Sequence, residues 1–371
     1  MKPKYSYRIC CLVLVLCICS LSLGCNNSSL AEHTNASPQN SISWFDADGM
    51  LLATETTDAD YDPTTKELPS DTDLWHYTGW TLSKSGNITV CTAKRLSKTK
   101  VIWKDFDGTL LKEDFFVDGE KEPTFDLPSS DEHWIYTEWI EESSKNEIVY
   151  TAKKTPNIKY FQGNVFQIIV NDQQGEPLGS GSGFIINDEG WFITNAHVME
   201  NGYSANAFFD IPDTVSGTKY TSLTILGGVY SDAKKDIFIG KINNYQNIKS
   251  HYQSISFTET YSEGDVCYSV GYPNSSVTLA INEGTVLEEY SNIYDKINGI
   301  YYILSDSYIA PGSSGGILIN QDFQVIGITS MGLYSDESHS VYISGGSIPC
   351  FIFASQLKNL NDENLKALNV I

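Results

Sequence analysis

Ala310-Pro311-Gly312-Ser313-Ser314-Gly315-Gly316, followed at once by Ile317-Leu318-Ile319, is a glycine-rich turn that opens an apolar strand. Glycine adopts left-handed conformations that other residues avoid, so such a turn can aim several backbone N–H groups at one point. Ser314 would present its hydroxyl there, and the N–H groups of Gly312 and Ser314 match the donors of an oxyanion hole. An ordinary β-turn uses the same residue types, so the stretch gains meaning only from its surroundings.

Two segments upstream supply the chemistry that such a serine needs. Gly181-Ser182-Gly183-Phe184-Ile185-Ile186 and Gly190-Trp191-Phe192-Ile193-Thr194-Asn195-Ala196-His197 read as strand, turn and strand closing on a histidine. Imidazole serves general-base catalysis near neutral pH, which makes His197 the candidate base. Lys234-Lys235-Asp236-Ile237-Phe238-Ile239 places an aspartate at the head of an apolar strand. There it can accept the second imidazole proton and fix the tautomer. Asp210, Asp213 and Asp232 also lie between His197 and Ser314, but in turn-like contexts, and Asp236 is preferred.

Short apolar stretches at 165–170, 183–186, 191–194, 222–226, 236–242, 265–270, 300–304 and 325–329 are separated by Gly, Asn, Asp and Ser. Many short strands with turn signals predict a β-barrel or sandwich. Leu357, Leu360, Leu365 and Leu368 predict a helix over residues 356–368. The expected fold class is mainly β, with this domain spanning 157–371 and ending in the helix.

The preceding region repeats itself. Trp44-Phe45-Asp46-Ala47-Asp48-Gly49 recurs as Trp103-Lys104-Asp105-Phe106-Asp107-Gly108, Leu68-Pro69-Ser70 as Leu127-Pro128-Ser129, and Tyr77-Thr78-x-Trp80 as Tyr136-Thr137-x-Trp139. Every pair is separated by the same 59 positions, which indicates two tandem modules, 41–96 and 99–155. Each Asp-x-Asp-Gly between apolar stretches predicts a β-hairpin. No third loop ligand falls at calcium-binding spacing, so turn chemistry accounts for the aspartates and no metal is expected. Trp75 and Tyr77, with Trp134 and Tyr136, are expected to pack as core.

Residues 1–25 read as an export signal: Lys2, Lys4 and Arg8 precede an apolar run, 9–23, too short for a membrane span. Its end, Leu21-Ser22-Leu23-Gly24-Cys25, resembles a bacterial lipoprotein signal, which implies lipidation of Cys25. The Asn- and Ser-rich stretch 26–40 then reads as a flexible tether. Beyond Cys25 only Cys91, Cys267 and Cys350 remain; they form no disulfide framework or metal pair and are expected as small core residues. A net charge of −22 over 371 residues argues against binding nucleic acid through charge.

Taken together, the His, Asp and Ser segments resemble the chymotrypsin-like serine peptidases, specifically the bacterial HtrA (Deg) branch. Gly271-Tyr272-Pro273, Gly284-Thr285-Val286 and Asn320 to Val325-Ile326-Gly327-Ile328 extend the likeness. The resemblance implies two six-stranded barrels, with His197, Asp236 and Ser314 as catalytic triad in the cleft between them. It places Tyr308 at the base of the primary pocket, with Ile328, Thr329 and Ser330 along one wall. Those residues offer no acid for Lys or Arg, so a medium or small apolar side chain before the scissile bond is expected. The residues after Ser314 are taken up by the second barrel and final helix, leaving none for the PDZ domain typical of the branch. The modules resemble the small β-repeats of internalin-type bacterial surface proteins. The chain is thus expected to be an exported, lipid-anchored serine endopeptidase of the bacterial cell surface or envelope, needing no cofactor. Proteins or peptides would be its substrates, in quality control or processing. The competing reading is an inactive homologue serving as a surface adhesion or binding protein.

Overall fold

The computed structural model describes residues 39–287, 293–295, 300–335 and 341–368. The signal with Cys25, and the tether up to residue 38, lie outside the described residues. Among those described, no helix is long and apolar enough to cross a membrane. The chain divides into two compact units. The first takes in residues 39–101, Glu113–Pro123 and Ser143–Ile148; the second takes in Ile102–Lys112, Thr124–Glu142 and the chain from Val149 onward.

In the first unit, β1 (Asn40–Phe45) and β2 (Leu51–Thr57) form the expected antiparallel hairpin. The Asp46 N–H donates to Met50 O at 2.8 Å, and Gly49 closes the turn at φ +87°. β3 (Trp75–Ser85) runs antiparallel to β4 (Ile88–Lys104), and β1 runs parallel to β4. Alternation along these strands sends Ile42, Trp44, Tyr77, Trp80, Cys91 and Ala93 into one core. Fully burying one large apolar side chain is worth about 1.5–3 kcal/mol, so this small core rests largely on its aromatics. Their polar tips are satisfied: Trp80 Nε1 donates to Lys66 O at 2.9 Å and Tyr77 Oη to Asp46 Oδ1 at 2.8 Å.

The same bonds recur at the repeat spacing in the second unit. The strands of this stretch are β5 (Leu110–Val117), β6 (Trp134–Ser143) and β7 (Glu147–Pro156), with most of β6 and β7 in the second unit. Tyr136 Oη donates to Asp105 Oδ1 at 2.9 Å, and Trp139 Nε1 donates to Phe125 O at 3.2 Å. Asp105 thus accepts from a tyrosine hydroxyl, as Asp46 does, while Asp48 pairs with Arg95 through two bonds of 2.8 and 2.6 Å. β7 runs unbroken through the expected boundary at Lys154-Thr155-Pro156, and the second unit takes in most of the second repeat.

Next come β8 (Val165–Asn171), β9 (Pro177–Ile185), β10 (Trp191–Thr194), the single-turn helix α1 (Ala196–Met199), β11 (Ser204–Phe209), β12 (Thr221–Asp232) and β13 (Ile237–Ile242). Their strands close a barrel in the order β10-β13-β12-β11-β8-β9 around Phe166, Phe192, Phe209 and Phe238. The second sheet contains β14 (Val266–Gly271), β15 (Ala280–Thr285), β16 (Ile293–Asp295), β17 (Ile300–Ser305), β18 (Ile317–Asn320), β19 (Val325–Tyr334) and β20 (Tyr342–Pro349). Its order is β15-β14-β18-β19-β20-β17-β16. Six of these strands curl until Val286 bridges Ser305, so the second barrel is closed by one bridge rather than by a full ladder.

The expected helix over 356–368 is corrected. Two 3-10 turns, Gln356–Asn359 and Asp362–Asn364, stand there, and Lys366 pairs with Gly228 of β12. Leu357 and Leu360 pack on the cluster shared by strands of both barrels, which includes Val165 and Ile319, and Leu368 packs on the core of the first barrel. One helical stripe cannot serve two cores, and the Asn361 side chain, accepting from the Glu363 N–H, starts a new turn between them.

Candidate active site

The nucleophile turn forms because its residues suit it. Ala310 to Ser313 close through a 2.9 Å bond from the Ser313 N–H to Ala310 O, with Pro311 and Gly312 (φ +97°) at the two central positions. Proline then a positive-φ glycine is the requirement of a type II turn. Gly315 (φ +87°) follows, and a Cβ on it would lie 2.0 Å from Ser182 O and 2.1 Å from Thr194 Oγ1. Only glycine fits that approach.

Two peptide groups in this turn are pinned by their carbonyls. Pro311 O accepts from the Asn274 N–H at 2.6 Å; Ser313 O accepts from Thr329 Oγ1 at 2.6 Å and from the Gly316 N–H at 2.9 Å. The N–H of a planar trans peptide points opposite to its carbonyl, so the N–H groups of Gly312 and Ser314 are turned the other way. Among the described residues neither donates to any protein acceptor. Buried Ser182 ties the turn to β9: its Oγ donates to Gly312 O at 2.8 Å, and its N–H donates to Ser314 O at 2.7 Å.

His197 lies in α1, beside the loop between β12 and β13. Asp236 accepts there from the His197 backbone N–H at 3.0 Å and faces Nδ1 at 2.9 Å. Asp236 adopts φ +54°, a left-handed conformation costing a non-glycine residue on the order of 1–3 kcal/mol. Several contacts hold it. Asn195 Nδ2 donates to Asp236 O at 3.1 Å, and Ser330 Oγ donates to Asp236 Oδ2 at 2.8 Å. Asp232 accepts from the Lys234 and Lys235 N–H groups at 3.0 and 3.1 Å, shaping the turn just before it. Asn195 also stands at the N-cap of α1, yet caps nothing with its side chain. Its Oδ1 is buried without a partner, a local cost at the spot that fixes Asp236.

Ser314 Oγ donates to Ser330 O at 3.0 Å, and among the described residues it makes no hydrogen bond to His197. Ser330 therefore contacts the serine through its carbonyl and the aspartate through its hydroxyl. The structure brings His197, Asp236, Ser314 and Gly312 together, and the side chains of the expected pocket wall are engaged elsewhere. Ile328 is fully buried in the core, Thr329 holds Ser313 and Ser330 holds Asp236, so a wall at 328–330 is formed by their backbone rather than their side chains. Tyr308 is 41% exposed, with its ring 5.1 Å from that of Tyr342. Tyr342 Oη donates to Ser307 O at 2.6 Å and accepts from the Ile309 N–H at 3.0 Å. Across from this segment, a Cβ on Gly332 would lie 2.7 Å from Ile309 O, so the two backbones are in contact.

Asn195, Ser182 and Asn274 were not singled out from sequence. Asn195 and Ser182 sit inside the quoted motifs, but nothing in sequence says which backbone group a buried amide or hydroxyl will hold. The three cysteines beyond Cys25 are buried and unpaired, and burial pushes the Cys267 thiol up to about 12.

With the barrels and the geometry around Ser314, His197 and Asp236 in place, residues 181–328 match the family described as trypsin-like peptidase domain. The chain is 27% identical over 194 residues to serine protease HTRA3 of Rattus norvegicus, covering 50% of this chain and 39% of that protein. It is 30% identical over 157 residues to a probable periplasmic serine endoprotease DegP-like of Chlamydia pneumoniae, covering 42% of this chain and 30% of that one. The chain thus spans well under half the length of these relatives. The crystal structure of the serine endoprotease from Yersinia pestis aligns with TM-score 0.41 at 21% identity, covering 54% of this chain and 64% of that chain.

Proposed function

We propose that the protein is a serine endopeptidase that hydrolyses peptide bonds through an acyl-enzyme. Ser314 is the nucleophile, His197 the general base and Asp236 the group that orients it. The observation that carries this reading is the double contact of Ser330, whose carbonyl holds Ser314 Oγ and whose hydroxyl holds the carboxylate paired with His197. For attack, the Ser314 hydroxyl leaves Ser330 O and gives its proton to His197 Nε2 as Oγ bonds to the scissile carbonyl carbon. The oxyanion is received by the unpaired N–H groups of Gly312 and Ser314, each such donor being worth on the order of 10²–10³ in rate. The imidazolium then protonates the leaving amine, and water repeats the sequence on the ester.

On this reading Tyr308 forms the base of the primary pocket, and the close approach of Gly332 to Ile309 favours a medium or small apolar side chain before the scissile bond. Lipidation at Cys25 and export to a bacterial envelope or cell surface complete the proposal. The naming of the DegP-like relative as periplasmic supports the export. Substrates are proteins or peptides, handled in quality control or processing, and the repeats, resembling internalin-type modules, serve substrate or wall targeting.

A fluorophosphonate probe with casein cleavage tests this: wild-type protein labels and cleaves, whereas folded Ser314→Ala does neither. Equal labelling of both proteins sinks the assignment. Because Ser314 is seen bonded to Ser330 rather than to His197, the inactive binding-protein reading has its own outcome, wild-type protein that does not label.

A further inference from the structure

Phe323 is the least expected residue of the catalytic barrel. It adopts φ +60°, a conformation suited to glycine or asparagine and unusual for a bulky side chain. It lies in the turn between β18 and β19, where its N–H donates to Asn320 O at 3.1 Å and the Asn320 N–H donates to Gln324 O at 3.0 Å. Its ring, 6% exposed, is caged on several sides within the second unit. Trp134 meets it edge-on at 4.9 Å, His133 at 5.1 Å, Tyr160 at 5.3 Å, and Phe161 stacks at 5.7 Å. Trp134 and His133 belong to the second repeat. The Asn157 N–H fixes that side by donating to His133 O at 2.7 Å.

The hairpin that Phe323 turns is the one that carries the catalytic framework. At its open end, the Gly315 N–H donates to Thr329 O at 2.8 Å and the Thr329 N–H donates to Gly316 O at 2.9 Å. Thr329 pins Ser313 O, and Ser330 holds both Ser314 and Asp236. A one-residue slip would turn Thr329 and Ser330 to the opposite faces of the strand and break all of these contacts. Register in a hairpin is set by its turn, and this turn holds a residue that its conformation disfavours. What offsets that cost is the aromatic socket, half of it supplied by the second repeat.

We propose that Phe323 is a positioning residue for the nucleophile turn, and that Trp134 and His133 of the second repeat are its socket. The second repeat is then a working part of the peptidase rather than an independent module joined to it. This rests on the peptidase reading above and adds a requirement for the repeat.

The test uses the full-length protein, with the second-order rate of fluorophosphonate labelling at Ser314 and with kcat and KM on a peptide. Each variant is assayed well below its own melting midpoint, so that folded protein is compared. Phe323→Asn keeps a residue that accepts the turn conformation and removes only the ring. Trp134→Ala opens the socket from the repeat side and leaves the hairpin sequence intact, so the test stands even where a change at 323 prevents folding. Each variant is expected to lower labelling and kcat by about tenfold to a hundredfold, the cost of small misplacements of catalytic groups, with KM nearly unchanged. The double variant is expected to be little worse than the poorer single one, since both break one contact. Labelling within about threefold of wild type in folded Trp134→Ala, or independent multiplying losses in the double variant, overturns the inference. A wild-type protein that does not label overturns the peptidase reading itself, which the variants then need not decide.

Discussion

Thr329 Oγ1 donates a 2.6 Å hydrogen bond to the carbonyl of Ser313, the residue before the candidate nucleophile. That bond sets the direction of the next peptide, and so of the Ser314 N–H. Thr329→Val keeps the shape and removes the donor. Its kcat is expected to fall by about tenfold to a hundredfold with KM little changed, because an oxyanion donor acts on the transition state. Steady-state kinetics on one peptide substrate measures this, and an unchanged kcat would show that the Gly316 N–H alone suffices.

The aspartate offers a graded pair. Asp236→Asn keeps the geometry but favours the wrong imidazole tautomer, and a loss on the order of 10⁴ in kcat is expected. Ser330→Ala removes one of the bonds to the carboxylate while the His197 contacts remain. A loss of about tenfold is expected, the worth of roughly one charge-assisted hydrogen bond. A Ser330→Ala loss as large as that of Asp236→Asn would contradict this division of roles.

Chain preference follows from the contact between Gly332 and Ile309. Peptides with Ala before the scissile bond are expected to be cleaved at least about tenfold more efficiently than those with Phe, comparing kcat/KM. The reverse order would mean that the two backbones separate when substrate binds.

Burial raises the thiols of Cys91, Cys267 and Cys350, that of Cys267 from 9.0 to about 12. A group whose proton is held more tightly in the folded state adds stability at low pH and loses it as pH climbs. For Cys267 the decline runs from about 9 to about 12. Two measurements check this: thermal midpoints across that window, which should fall, and thiol labelling near pH 8. Mass mapping should find all three unlabelled in native protein and labelled in denaturant.

Cys25→Ser should move the protein from the membrane fraction to the soluble fraction of its host and abolish incorporation of labelled fatty acid. Unchanged partitioning would remove the lipid anchor from the proposal.

Much of this could be read from residues alone, because local chemistry decided it. The stretch Trp191–Thr194 is a strand as expected, and the two Asp-x-Asp-Gly turns form hairpins with glycine at positive φ. Pro311-Gly312 likewise sits in the turn it prescribes. What escaped reading depends on distant partners. Leu357 to Leu368 carry a helical period, yet those leucines are shared between two cores. The bonds of Thr329 to Ser313 and of Ser330 to Asp236 are of this kind, because strand alternation says which face a side chain takes and not what waits there. The left-handed Asp236 and Phe323 had no local signal, since each is held by contacts remote in sequence.

The pairing of Gly228 with Lys366 has a bearing on timing. Both of their N–H groups are exchanged at 2.9 Å, across an interval that includes the entire second barrel. A polypeptide that emerges from its amino end cannot make that pair until nearly all of it has appeared, and contacts so far apart form late. The first barrel, with His197 and Asp236, closes through its own six strands, but this last pairing beside β12 waits until Ser314 and its turn have already been delivered. A chain still being made would thus hold His197 and Asp236 in a closed barrel before the seam at its far end is sealed.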